Sequence, residues 1–205
     1  MSDQTTWTLN DLALESNPDN LRVSPIRWVR HYPKWPLIWA GSFLLVAGLA
    51  HLVHWSLAIP AVVLLLINWF YWKRVRDHFR FGYADPAIIV AMDPMLIAVG
   101  TDLTLGVGHY PVIKIIEKSL STAGGKTPRL GSMFAAVSLY SPSPNQDLPH
   151  WADFDPRPID CATTDEVVIK EVMGAFPNED WRELKSWLRQ VPRPFRVGVY
   201  KIRLN

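Results

Sequence analysis

The chain has 205 residues, 49% hydrophobic and 20% charged, with a formal net charge of +2. From Phe81 to Asn205 there are 13 basic and 14 acidic residues, so the C-terminal part lacks the basic excess of a nucleic-acid binder and no nucleic-acid partner is expected. Cys161 is the single cysteine, which excludes an intramolecular disulfide and any zinc site built from two cysteines of one chain, and suits a reducing compartment.

Residues 1–34 read as a polar N-terminal segment with an interfacial lead-in. The first 21 residues contain Asp3, Asp11, Glu15 and Asp19 and no apolar core, so no secretory signal is expected. Between Lys34 and Lys73 lie 38 residues without Asp, Glu, Lys or Arg. A single straight helix of that length would span roughly 57 Å, against a bilayer core of roughly 30 Å. Divided near His51 to Ser56, the stretch becomes two helices of membrane-crossing length, over about 36–53 and 55–72, and neither has the polar face of a surface helix. Residues 35–72 are therefore expected to form a two-helix transmembrane hairpin.

Basic residues set the expected orientation. Arg22, Arg27, Arg30 and Lys34 precede the hairpin, Lys73, Arg74, Arg76 and Arg80 follow it, and the turn has neither Lys nor Arg. Both termini should then be cytoplasmic in a multi-pass protein of the inner membrane. Aromatic residues cluster at the same depths. The expected membrane interface comprises Arg27, Trp28, Arg30, Lys34 and Trp35 on entry, and Trp69, Trp72, Lys73, Arg74 and Arg76 on exit. The lipid bilayer is one expected partner. A homo-oligomer or a second membrane protein is another, and Gly41 and Gly48, seven apart, suit close helix packing. Residues 73–85 read as a basic juxtamembrane linker.

A cytoplasmic α+β domain is expected over 86–205: a small strand-rich sheet or barrel followed by two helices. Ala87–Ala91 and Met95–Val99 are short apolar runs separated by Asp93-Pro94, which suits a hairpin. Tyr110–Lys118 and Met133–Tyr140 read as further strands, with loops over 102–108 and 119–129 and a Pro-rich connection over 141–149. Thr163 or Thr164 should cap a helix from Asp165 to about Ala175, with Val167, Val168, Val172 and Met173 as its apolar stripe. Asn178 should cap a second helix to about Gln190, with Trp181, Leu184, Trp187 and Leu188 on one face. Phe195–Leu204 alternates as a final strand.

The run Ala84-Asp85-Pro86-Ala87-Ile88-Ile89-Val90, the Asp93-Pro94 turn, Ala98-Val99-Gly100-Thr101-Asp102-Leu103, residues 131–140 and Trp151-Ala152-Asp153-Phe154-Asp155-Pro156 resemble a family of uncharacterised bacterial membrane proteins. Its members carry a domain of unknown function after a short membrane segment. The resemblance covers roughly residues 80–190. It implies an inner-membrane setting and brings no catalytic residues with it.

Signatures of chemistry are sparse. Gly124-Gly125-Lys126-Thr127 has the ending of a phosphate-binding loop, but the required earlier glycine is Leu120, so a flexible loop is expected there. The densest polar cluster is His150, Trp151, Asp153, Asp155 and Asp160, with Cys161 beside it. His150, Asp153, Asp155 and Cys161 are the candidate catalytic residues, since His, carboxylates and a thiol could form acid–base or nucleophilic pairs. Their spacing fits no metal motif, and no cofactor or metal is expected. The leading expectation is a membrane-tethered cytoplasmic interaction or scaffold module without enzymatic activity. The alternatives are a membrane-anchored enzyme using the 150–161 cluster and an accessory subunit of a channel or transporter.

Overall fold

A computed structural model describes residues 21–105, 108–142 and 148–203. The polar segment expected over 1–21 lies outside these residues except for Leu21, as does most of the Pro-rich connection. A short helix α1 (Pro25–His31) leads into α2 (Lys34–Leu52), a single 3-10 turn (Trp55–Leu57) and α3 (Ala58–Phe81). Pro25 opens α1, where a missing N–H costs nothing. His54 caps the 3-10 turn by accepting from the Ser56 amide.

α2 and α3 pack against each other as a hairpin. Both are long and apolar enough to cross a membrane, and only 6% of the most apolar window of each is buried. That fraction decides against a hairpin enclosed in a soluble core, because Leu44, Leu45, Leu52, Ile59 and Val62 are each more than half exposed. A continuous apolar surface of this kind is a binding surface for lipid or protein.

The expected linker over 73–85 is helical for most of its length. α3 continues through the basic residues to Phe81, and β1 begins at Tyr83. The reason is burial on one side: Val75, His78 and Phe79 are packed into the domain, and the His78 ring bonds the Val137 carbonyl at 2.8 Å. Gly82 joins helix to strand where a Cβ would stand 2.5 Å from the His78 carbonyl oxygen and 2.9 Å from that of Ser138.

The domain is α+β, as expected. Six strands, β1 (Tyr83–Met92), β2 (Met95–Asp102), β3 (Pro111–Glu117), β4 (Met133–Ser141), β5 (Asp153–Pro158) and β6 (Gly198–Lys201), form one antiparallel sheet in the order β5-β4-β1-β2-β3-β6. β1 and β2 are the expected hairpin about Asp93-Pro94, in register Ala87 with Val99. β5 was not expected as a strand because Pro156 and Pro158 interrupt its pattern. It lies at the sheet edge, where a missing amide is tolerated.

The sheet is rolled. One face gathers Ala87, Ile89, Val99, Val112, Phe134, Ala136 and Phe154 into a core of their own. The other face carries two patches. α1, the end of α3 and α4 (Glu166–Gly174) cover Ala135 and Val137, while α5 (Asn178–Trp187) covers Ile88, Ala98, Ile113 and Ile115. Asp165, rather than either threonine, caps α4, accepting from the Val167 and Val168 amides. Val168, Ile169 and Val172 form its buried stripe, and Val167 faces out. At α5 the N-cap position is Pro177, without a side-chain cap, and Asn178 is the first helical residue. Leu184 is its deepest contact, and Gly100 on β2 lets it and Trp187 approach, since a Cβ there would meet Leu184 Cδ1 at 2.9 Å.

Candidate functional site

The four candidate catalytic residues have four separate sets of partners. His150 pairs with Thr104 in an isolated bridge. Its ring packs 4.6 Å from that of Tyr110, and its Nδ1 lies 2.7 Å from the Trp151 carbonyl oxygen. Asp153 accepts from Lys114 Nζ through both oxygens at 2.9 Å. This ion pair ties β5 to β3 across the rolled sheet, strands that are not neighbours in the ladder. Asp155 accepts from Nε and Nη2 of Arg157 at 3.1 and 2.9 Å, so it fixes the edge of β5.

Cys161 is fully buried at the end of the second 3-10 turn, Ile159–Cys161. Burial pushes its thiol up to about 12, a larger effect than the opposing pull of Lys118. At neutral pH it is a thiol without nucleophilic character. Burial likewise raises the phenol of Tyr32 beside it. Lys118 lies 3.5 Å from the centre of the Tyr32 ring, donates to the His31 carbonyl, and is lowered by burial.

The expected interface residues separate into two groups. Trp28 is 1% exposed and belongs to the domain core, not to its surface. It stacks on Tyr32 at 4.3 Å, meets Phe79 edge-on at 5.7 Å, and donates from Nε1 to the Tyr71 hydroxyl at 2.7 Å. Arg157 lies over its ring. Arg27 also turns inward, donating to the Asp160 carbonyl and the Thr122 hydroxyl. The others remain outside or half-exposed: Trp35 stacks with Trp39 under Lys34, Trp69 and Trp72 meet Phe70 and Tyr71 edge-on, and Arg30, Arg74 and Arg76 are exposed.

Two buried carboxylates stand outside the four candidates: Asp160, which the sequence places in the polar cluster without singling it out, and Asp85, for which the sequence gives no site signal. Asp160 accepts from the Gly124 and Gly125 amides at 2.9 and 3.1 Å. Both glycines have positive φ, 58° and 74°, a conformation that turns successive amides toward one anion. The expected flexible loop is thus pinned, and its anion is internal. A cleft of about 860 Å³ opens beside it, lined by Lys126, Arg129 and Lys170 among others. The adjacent glycines were the available signal.

Asp85 is 5% exposed on the inner face of β1, opposite Ala136 of β4. Ser138 and Tyr140 follow Ala136 on that face, and Thr101 of β2 bonds the Tyr140 hydroxyl at 2.6 Å. Asp85 Oδ2 and Ser138 Oγ are buried without a hydrogen-bond partner among the described residues. Burial raises the Asp85 carboxyl to about 7, against the smaller opposing pull of the Ser138 and Thr101 hydroxyls. The neutral acid is the form such an environment favours.

At the base of the hairpin, α3 and the chain before α1 enclose a cleft of about 680 Å³ lined by Leu21, Arg22, Trp69, Lys73, Arg76, Asp77 and Arg80 among others. Lys73 pairs with Asp77 one turn on. A second cleft of about 330 Å³, on the side of α2, contains Trp35, Trp39, Tyr71, Arg74 and Arg157.

Residues 72–191 match the model of DUF3239, a protein family of unknown function. The chain belongs to this family. The expected resemblance to an uncharacterised family with a domain of unknown function is borne out. The DUF3239 match opens inside α3, so the last turns of that helix are part of the family domain. In this chain the DUF3239 core is completed from outside the matched stretch by Trp28 and Arg27. The chain is also similar to a crystal structure described as a "putative membrane protein from Corynebacterium diphtheriae", with 18% identity, 58% of this chain and 99% of that chain covered, and a TM-score of 0.48. No curated protein matches the chain.

Proposed function

We propose that this DUF3239 chain crosses the inner membrane twice through α2 and α3, with both ends cytoplasmic, and holds its α+β domain against the inner face as a non-enzymatic interaction module. The observation that carries this reading is the uninterrupted course of α3. It passes from exposed apolar surface into the domain core, where Val75 and Phe79 are 2% and 1% exposed. A helix locked at one end cannot swivel, so the domain has a set orientation relative to the hairpin. Such a device suits presentation of a surface to a membrane protein or a second copy of the chain.

The separate partners of His150, Asp153, Asp155 and Cys161 support an interaction role over catalysis. Lys73, Arg74, Arg76 and Arg80 at the end of the apolar stretch support the cytoplasmic placement of the domain. The test has two stages. The chain should resist alkaline extraction from membranes, and single cysteines placed at Ser56 and Ser186 should react with an impermeant maleimide from opposite sides, in a Cys161→Ser background. In mild detergent it should then migrate with a stoichiometric partner or as an oligomer. A solitary monomer would overturn the interaction role, and release by alkali would overturn the membrane placement.

A further inference from the structure

One stripe of α3 changes character along its length. Val62, Leu66, Trp69, Lys73, Arg76 and Arg80 follow at intervals of three and four, the spacing of one helical face. Val62, Leu66 and Trp69 are about half exposed. Lys73 and Arg76 stand about 6 and 10 Å farther along the axis than Trp69, at about 1.5 Å per residue. The cleft lies along the lower part of this stripe, and Arg22 closes its far wall. Among the described lining residues, Arg22, Lys73 and Arg76 face one carboxylate, Asp77, already paired with Lys73. Neither Arg22 nor Arg76 has an ion pair or side-chain hydrogen bond among the described residues, and both are exposed.

We infer that this cleft is a binding site for the headgroup of one anionic phospholipid of the inner leaflet. Its phosphate lies between Arg22 and Arg76, with Lys73 at its edge, and its acyl chains lie along Leu66 and Val62. An arginine pair suits phosphate because each guanidinium offers a planar fork of donors. Trp69 marks the depth at which apolar surface gives way to the polar headgroup region. The occupant is a lipid rather than a soluble phosphate ester because the cationic wall continues directly into exposed apolar helix. A soluble ligand would leave that upper part of the stripe uncovered. Arg22 precedes α1 and Arg76 stands near the end of α3, the second helix of the hairpin, so the bound headgroup also bridges two chain segments far apart in sequence.

The inference rests on the membrane-crossing reading, and the experiment separates the two. The full chain is reconstituted in phosphatidylcholine nanodiscs containing a minor fraction of phosphatidylglycerol, and the association of spin-labelled forms of each lipid is compared. The wild-type chain should hold the anionic label about ten-fold more strongly than the zwitterionic one, an energy difference of about 1.4 kcal/mol. Arg22→Gln/Arg76→Gln should remove most of that preference. Arg30→Gln/Lys34→Gln, which removes the same charge from exposed positions outside the cleft, should retain it.

Equal losses in both double variants would mean diffuse charge attraction and overturn the site. Displacement of the anionic label by millimolar glycerol phosphate would assign the cleft to a soluble ligand and also overturn it. A chain that inserts but shows no lipid preference defeats this inference alone, whereas a chain that fails to insert defeats the reading beneath it.

Discussion

Replacing Asp85 with asparagine should remove a specific part of the pH dependence of domain stability. In the unfolded chain the carboxyl titrates near its ordinary value of 3.8, and in the fold burial raises it to about 7. Between those values the folded state binds more protons than the unfolded state, so this group makes stability fall as pH rises. Its burial is without penalty below pH 3.8, and the loss is complete above about pH 7. At about 1.4 kcal/mol for each pH unit, the window carries about 4 kcal/mol. Asparagine preserves the shape and removes the ionisation. The other carboxylates and histidines titrate in both proteins, so the informative quantity is the difference between them. Urea unfolding of the full chain in detergent micelles, followed by near-ultraviolet circular dichroism from pH 4 to pH 8, supplies it. The variant should gain on the wild type by several kcal/mol across the range, with the gain levelling off near pH 7. A difference that stays constant with pH would show that Asp85 is solvated or paired in the fold, and the argument from its unpartnered oxygen would fall.

Three further outcomes test other parts of the structure. Iodoacetamide at pH 7.5 should leave Cys161 unmodified in the native chain and label it in urea, with native labelling at least about 100-fold slower, since both burial and a thiol held near 12 oppose it; rapid native labelling would contradict the packing around Tyr32. Asp160→Ala should leave the Gly124 and Gly125 amides without their acceptor and cost about 3 kcal/mol, and hydrogen exchange should show those two amides losing protection first. Gly82→Ala should destabilise the domain by about 3 kcal/mol or prevent its folding, because the added carbon meets backbone oxygens at 2.5 and 2.9 Å; Gly174→Ala, helical and with nothing within 4 Å, is the control and should hold the unfolding midpoint or raise it slightly.

The domain's strands were legible where local pattern and burial agree. β1, β2, β3 and β4 are apolar runs bounded by Pro, Asp or Gly, and each lies inside the sheet. β5 was hidden because a Pro-containing edge strand is defined by its neighbour, not by its own composition. The caps show a similar limit. Thr163, Thr164 and Asp165 are all capping residue types, and the selection of Asp165 depends on where the chain leaves the 3-10 turn at Cys161. The polar cluster was readable as residues but not as a site: Asp153 and Asp155 share one face of β5, and which cation each one meets depends on the strand that the sheet brings near it. Asp153 reaches Lys114, whereas Asp155 turns to Arg157.

The uncharged stretch between Lys34 and Lys73, and the two helices it forms, followed from the sequence alone. Hydropathy over such a length is a local property, summed residue by residue, and needs no knowledge of what the helices touch. Only the tertiary structure decided that α3 continues into the domain, that Trp28 serves as core, and that Asp85 and Asp160 are buried carboxylates with different surroundings. Each of those outcomes depends on groups far apart in the chain, such as Trp28 with Phe79 and Asp160 with Gly124, whose meeting is set by packing rather than by the pattern around either residue.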